Sequence, residues 1–374
     1  MIYHFSYAWG FSASPVDTAY ARLSGLGWMG VDLFFVLSGF LITGILHDSR
    51  GRDGYFSSFF ARRSLRIFPL YYAFVLLVLP LSVWLQTGDA APAVAALRDR
   101  GGWYLGYAVN FMVALDGGWT TSMPHTEHLW SLALEEQFYL VWPPLVLLLS
   151  RRALIRTSAV LVVVALAART VLWAAGASPV ATYVLPFTRM DALLMGALVA
   201  LLVRELGSMA PLARQAPRVL VGAGLVAVAT LATASPRSSW ASPWVQTVGF
   251  TAIGAFFAAA LVAAVSADES SRWGRILRGP WLRMFGKYSY ALYIFHPLVL
   301  AGLRANGWGA ARFAGLGGSV QIGVHLLFTA FATLVSLAVA WLSWNLAEKH
   351  FLTFKHRFST RPKPIPAVAP TPAA

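Results

Sequence analysis

Apolar residues run along this chain in blocks of about 20, the length at which a helix spans the hydrocarbon core of a bilayer. Such blocks occupy 28–46, 68–85, 129–149, 154–175, 184–203, 219–234, 245–265, 285–303 and 320–346. The loops between them are of two kinds. One kind is rich in Arg and Lys: 50–66, 151–156, 204–218, 272–283 and 349–361. The other, at 86–102, 176–182, 235–244 and 304–318, is poor in net positive charge. The two kinds alternate if the shorter block 103–115, which contains Asn110, does not cross but forms a surface or re-entrant helix. The pattern therefore predicts an all-α polytopic bundle of nine full crossings, with basic loops and the C-terminus on the cytoplasmic side. Residues 1–10 are apolar but too short to span. Nine crossings that end inside begin outside, so this segment is expected to be the outer end of a first helix whose inner half is missing. The membrane domain is expected to cover 1–360. The Pro- and Ala-rich segment 361–374 reads as a disordered cytoplasmic tail.

Composition agrees with this reading. Of 374 residues, 58% are hydrophobic and only 12% charged, where a soluble domain carries about a quarter. Mean hydropathy is +0.63. The net charge of +14 sits in the short loops, as membrane topology requires, and no recognition motif accompanies it. Nucleic acid is therefore not an expected partner. With no cysteine, disulfides, thiolate metal sites and a Cys nucleophile are excluded. His125 and His128 have a metal-like spacing, but no further ligands follow at a recognisable interval, so no metal is expected.

Polar residues inside the blocks are the candidates for chemistry, because ionisable groups are costly within a membrane. The segment His128–Tyr139 places Glu135 and Glu136 near the mouth of a crossing. On a helix, His128, Ser131, Glu135, Tyr139 and Trp142 share one face, which must look into protein or a watery cavity. His4 is suited to general-base work. Asp32 opens the 28–46 block as a cap or charge, and Ser38-Gly39 within it would let another helix approach. Arg62 or Arg63 shares a face with Arg66 at the end of the next block. Planar guanidinium groups there suit a phosphorylated donor, or simple positive-inside anchoring. Glu135 is placed either to hold an imidazole or to pair with an Arg such as Arg189, which has Asp191 beside it. His296 lies mid-block before a Pro and calls for a function or a partner.

Segments 30–43, 62–72, 130–139 with Trp142-Pro143, 189–196, 288–297 and 344–351 together resemble the membrane-bound acyltransferase-3 family, in its order and over nearly the whole chain. The resemblance implies a membrane O-acyltransferase. Acyl-CoA, most simply acetyl-CoA, is the co-substrate, no cofactor is bound, and a hydroxyl on a carbohydrate or glycosylated molecule is the acceptor. It makes His4 the essential base of the first helix, with Glu135 orienting its imidazole, and assigns Arg63 and Arg66 to the donor. Asp32, Ser131, Tyr139, Arg189, Asp191 and His296 become supporting residues. The family also tends to carry a basic residue well upstream of this His, for which the three residues before His4 leave no room. Two other readings fit a polytopic chain with buried charge: a transporter or flippase of lipid-linked sugars, and an inactive relative acting as a scaffold.

Overall fold

The structure, a computed structural model, describes residues 1–7, 15–89, 91–119, 123, 125–235, 239–309 and 318–358. The segment expected to be a disordered tail lies outside these residues. Among them there is no strand, as a bilayer demands of a chain that does not close a barrel.

A short α1 (Ile2–Tyr7) and α2 (Pro15–Gly25) lead into α3 (Gly30–Asp48). Then come α4 (Tyr55–Ala73), α5 (Leu79–Thr87), α6 (Ala91–Leu105) and α7 (Val109–Asp116). The centre of the chain forms α8 (Leu129–Leu148), α9 (Arg151–Ala174), α10 (Pro179–Val184), α11 (Pro186–Leu206) and α12 (Ala210–Ala232). The remainder forms α13 (Phe250–Val265), α14 (Arg272–Leu277), α15 (Pro280–Ala305), α16 (Gly318–Ser343) and α17 (Lys349–Thr353).

Seven helical stretches among the described residues are long and apolar enough to cross a membrane. Two further blocks expected to cross form α8, of 20 residues, and α15, of 26. They have the length but not the apolarity, because they carry polar residues such as Glu135, Glu136 and Gln137 on α8. The doubtful block 103–115 does not form one helix. It breaks between α6 and α7, where Tyr107 adopts a left-handed φ of 51°, and α7 alone is only about 12 Å long.

Helices α9 and α12 face outward with Val163, Val171, Leu225 and Val228 each more than 60% exposed. Such a surface would aggregate in water and is satisfied by lipid. Inside, α3 lies directly on α11. A Cβ at Gly39 would stand 1.8 Å from the Leu193 carbonyl oxygen, and one at Gly196 2.0 Å from that of Val36. Only glycine permits this approach, which replaces the missing hydrophobic drive between membrane helices with close packing.

The Arg-rich ends of the helices are tied together. Arg204 grips Asp48 with its Nε at 2.7 Å. Arg151 and Arg152 share Glu205 at 2.5 and 3.1 Å. Arg50 donates to the carbonyls of Leu147 and Leu149 at 3.1 and 2.9 Å, satisfying acceptors that the end of α8 leaves open.

Candidate active site

The bundle encloses a cavity of about 1410 Å³ that runs from a cluster of imidazoles to a cluster of guanidinium groups. One end is lined by His4, His128 and His296. The middle is lined by Ser131, Ser38, Glu135 and Tyr139, and the other end by Arg62, Arg63, Arg66 and Lys355.

The polar stripe of α8 forms the wall between the two ends. His128 stands at the N-cap of the helix, with Glu135 two turns on and Tyr139 three. At 1.5 Å per residue these lie about 10 and 16 Å further along the axis. All three are buried, as is Ser131. Trp142, the last member of the stripe, does not line the cavity and donates its indole N–H to Thr43 at 2.8 Å. Of the two adjacent carboxylates only Glu135 lines the cavity; Glu136 does not. Behind α8, Gln137 exchanges hydrogen bonds with Asn110 at 2.9 and 3.1 Å, which fastens α7 to the wall.

At the His end, the His4 and His296 rings meet edge-on at 4.9 Å, and those of His128 and His296 at 5.4 Å. Nδ1 of His296 lies 3.0 Å from the Leu292 carbonyl and 2.9 Å from that of Tyr293. Both oxygens only accept, so Nδ1 carries a hydrogen. In the neutral ring Nε2 is then the lone-pair nitrogen. That Nε2 is buried without a hydrogen-bond partner, as are both ring nitrogens of His128. Tyr293 braces the cluster: its hydroxyl donates to the His128 carbonyl at 2.5 Å and meets the Ser131 hydroxyl at 3.1 Å.

In the middle, the Glu135 carboxylate accepts from the hydroxyls of Ser38 and Tyr139, which themselves meet at 2.7 Å. The Arg63 guanidinium lies over the Tyr139 ring, 4.9 Å from its centre. Lys355 reaches the Arg end from the 3₁₀ turn Phe354–Phe358, which Ser58 on α4 holds through the Phe358 carbonyl at 2.6 Å.

Several expectations are altered by this arrangement. Glu135 and His4 line one cavity but do not pair: Glu135 is engaged with two hydroxyls toward the Arg end, and His4 meets Tyr3 and His296. Asp32 does not cap α3, whose N-cap position is Met29. It forms a fully buried ion pair with Arg189 at 2.7 Å. Asp191 likewise pairs with Arg169 at 2.8 Å, both fully buried, and accepts from Thr251 at 2.9 Å. None of these four charges lines the cavity. Ser38 and Gly39 divide their roles, the glycine packing on α11 and the serine turning to Glu135. Arg169 was not singled out in the sequence, although a lone Arg within the apolar run of α9 signals a buried partner. Tyr293 and Lys355 emerge as cavity residues only from the tertiary arrangement.

Comparison with known proteins supplies an independent line. A family model described as an acyltransferase domain matches residues 1–345. A putative peptidoglycan O-acetyltransferase of Bacillus subtilis, YrhL, is 30% identical over 73% of this chain and 44% of its own length. The O-acetyltransferase OatA of Staphylococcus aureus is 27% identical over 80% of this chain and 48% of its own. The peptidoglycan O-acetyltransferase OatA of Listeria monocytogenes is 28% identical over 73% and 45%. The chain thus spans about half the length of the curated relatives it matches. No solved structure matches it.

Proposed function

We propose that this chain, which belongs to the acyltransferase-3 family, is an acyltransferase that moves an acyl group, most simply acetyl, from acyl-CoA to a hydroxyl of an envelope glycan. One observation carries this reading: a single cavity joins a cationic end to an imidazole end. The donor's phosphates are held by Arg62, Arg63, Arg66 and Lys355, groups suited to multidentate anion binding. Its thiol arm extends past Tyr139 and Glu135, and its thioester reaches the His end. The Arg end is taken as the cytoplasmic side, where acyl-CoA is made, by the positive-inside rule, and the last described turn, Phe354–Phe358, brings Lys355 to that end. The names of the relatives make peptidoglycan the first acceptor to try.

At the His end, His4 takes the proton of the acceptor hydroxyl as its oxygen attacks the thioester carbonyl carbon. The C–S bond breaks, and the coenzyme A thiolate leaves with that proton, yielding an ester and a free thiol. An acyl-imidazole relay on His4 gives the same products in two steps. His296 lines the same space and carries its lone pair on Nε2, which helps hold the proton in transit. Ser38, Tyr139 and Glu135 provide a polar lining past which the arm runs.

The test is label transfer from radiolabelled acetyl-CoA in membranes, with His4→Ala at matched expression and matched thermal stability. A base of this kind contributes roughly 10²–10⁴-fold in rate, so transfer should fall by that range. Undiminished transfer in His4→Ala overturns the assignment of the base. If acyl-CoA is never consumed while a lipid-linked sugar crosses vesicles containing the protein, a transporter replaces the enzyme.

A further inference from the structure

Beyond the three imidazoles, the cavity opens between aromatic rings. Trp28, Trp119, Trp130, Tyr183 and Trp240 all line it. The Trp119 and Trp240 rings meet at 6.2 Å and 78°, forming a corner. Tyr183 closes the corner, with its ring 5.1 Å from Trp240 and 6.2 Å from Trp119. Tyr183 is buried, whereas Trp119 and Trp240 remain half-buried. His125, Glu127 and Arg304 line the same cavity.

Membrane proteins often carry Trp and Tyr as a belt at the lipid boundary, and this chain has such residues. Trp244 is 60% exposed and Trp341 55%, and neither lines the cavity. The corner differs because it faces inward and is fastened from behind. The π-helical turn Val245–Gly249 directs the fully buried Gln246 inward, where its amide donates to the Trp240 carbonyl at 2.9 Å and to that of Pro179 at 3.1 Å. Thr182 donates to the other end of Gln246 at 2.7 Å. The Trp28 indole donates to Ser239 at 2.9 Å. On the opposite wall, Ser178 holds the Gly117 carbonyl at 2.8 Å, two residues before Trp119. A π-bulge and a buried amide used to immobilise loop aromatics are a mark of a binding surface.

We infer that this corner is a sugar-ring platform: Trp119 and Trp240 stack on the C–H face of a β-linked pyranose, and Glu127, His125 and Arg304 bind its hydroxyl and acyl-amide groups. Pyranoses with equatorial substituents present axial C–H bonds on a flat apolar face and hydroxyls around the edge. The cavity offers the complementary chemistry, an aromatic corner and polar side chains lining one space. The platform rests on the acyltransfer reading, since it places a sugar hydroxyl beside the His cluster.

The test measures binding of chitotetraose, a β-1,4-linked N-acetylglucosamine tetramer, to the full chain in lipid nanodiscs by calorimetry, without any donor. Trp119→Ala and Trp240→Ala should each weaken it by at least about tenfold, the effect of truncating a buried aromatic anchor. Trp240→Phe should recover part of the loss, and the lipid-facing control Trp244→Ala should change nothing. KM for acetyl-CoA should stay at its wild-type value in all four, with thermal unfolding confirming that each is folded. Absence of saturable binding to the wild type, or unchanged binding in both alanine variants, overturns the platform. Aromatic-dependent binding without any acetyl transfer sustains the platform while removing the acyltransferase reading. Transfer that proceeds with unaltered acceptor binding in the variants removes the platform alone.

Discussion

Two sets of polar groups are buried in this bundle, and they are opposites. Between α3, α9, α11 and α13, four charges pair off as Asp32 with Arg189 and Asp191 with Arg169. Aromatic faces cover them, the Phe250 ring lying 4.0 Å from the Arg189 guanidinium carbon, and none of them lines the cavity. At the His end, His296 meets both His4 and His128, all three imidazoles line a large cavity, and His128 and His296 retain ring nitrogens without partners. Opposite charges at hydrogen-bond distance lock helices together. Imidazoles that line a cavity without a charged partner are what a proton transfer uses. Burial cost applies to both sets and both keep some buried polar atoms without partners; what tells them apart is that one set neutralises itself by opposite charge while the other lines the cavity.

The comparison breaks most visibly in activity. His4→Ala should lose roughly 10²–10⁴-fold in transfer, and His296→Ala should lose less, with the unfolding temperature of both near wild type. Stability loss as large as the activity loss would mean that the imidazoles are structural after all.

The reverse holds for the charge lock. Asp191→Ala or Asp32→Ala should destabilise the fold by about 3–5 kcal/mol, because each leaves an uncompensated buried Arg. Activity per folded molecule should be largely retained. Replacing both members of one pair by apolar residues, as in Asp32→Leu with Arg189→Met, should restore much of the stability. A fully stable but inactive Asp32→Ala would move the lock into the active site.

A smaller stability effect is expected where the helices bearing the lock touch. Gly196→Ala places a Cβ against the Val36 carbonyl, and overpacking of this kind costs about 1–3 kcal/mol. Thermal unfolding in detergent reads it directly, and a neutral result would mean that α3 and α11 are further apart than described. The smallest effect belongs to the Arg end. Arg63→Lys keeps the charge but loses the planar fork, so KM for acyl-CoA should rise about tenfold with kcat preserved. An unchanged KM would return Arg63 to simple anchoring.

Much of this was legible in residue order. The apolar blocks marked the helices, and the spacing of His128, Ser131, Glu135 and Tyr139 marked a single buried face, because helical periodicity is local. Partner choice was not legible. Glu135 had two plausible companions, His4 and Arg189, and took neither; it turned to Ser38 on α3 and Tyr139 on its own helix. Arg169 was overlooked because nothing near it in sequence announces Asp191, 22 residues on. The corner of Trp119 and Trp240 joins two loops that share no motif.

Residue order is enough to specify an all-α membrane bundle of the acyltransferase-3 family and which faces of its helices are polar. Hydrophobic length and 3.6-residue periodicity act within one segment and need no partner. Which buried groups neutralise one another, and which line a cavity, follows from the three-dimensional arrangement alone. Ion pairing and hydrogen bonding act over a few ångströms in space, whatever the separation along the chain. Glycine contacts such as Gly39 on Leu193 set how the helices seat against one another, and hence which side chains come within that reach.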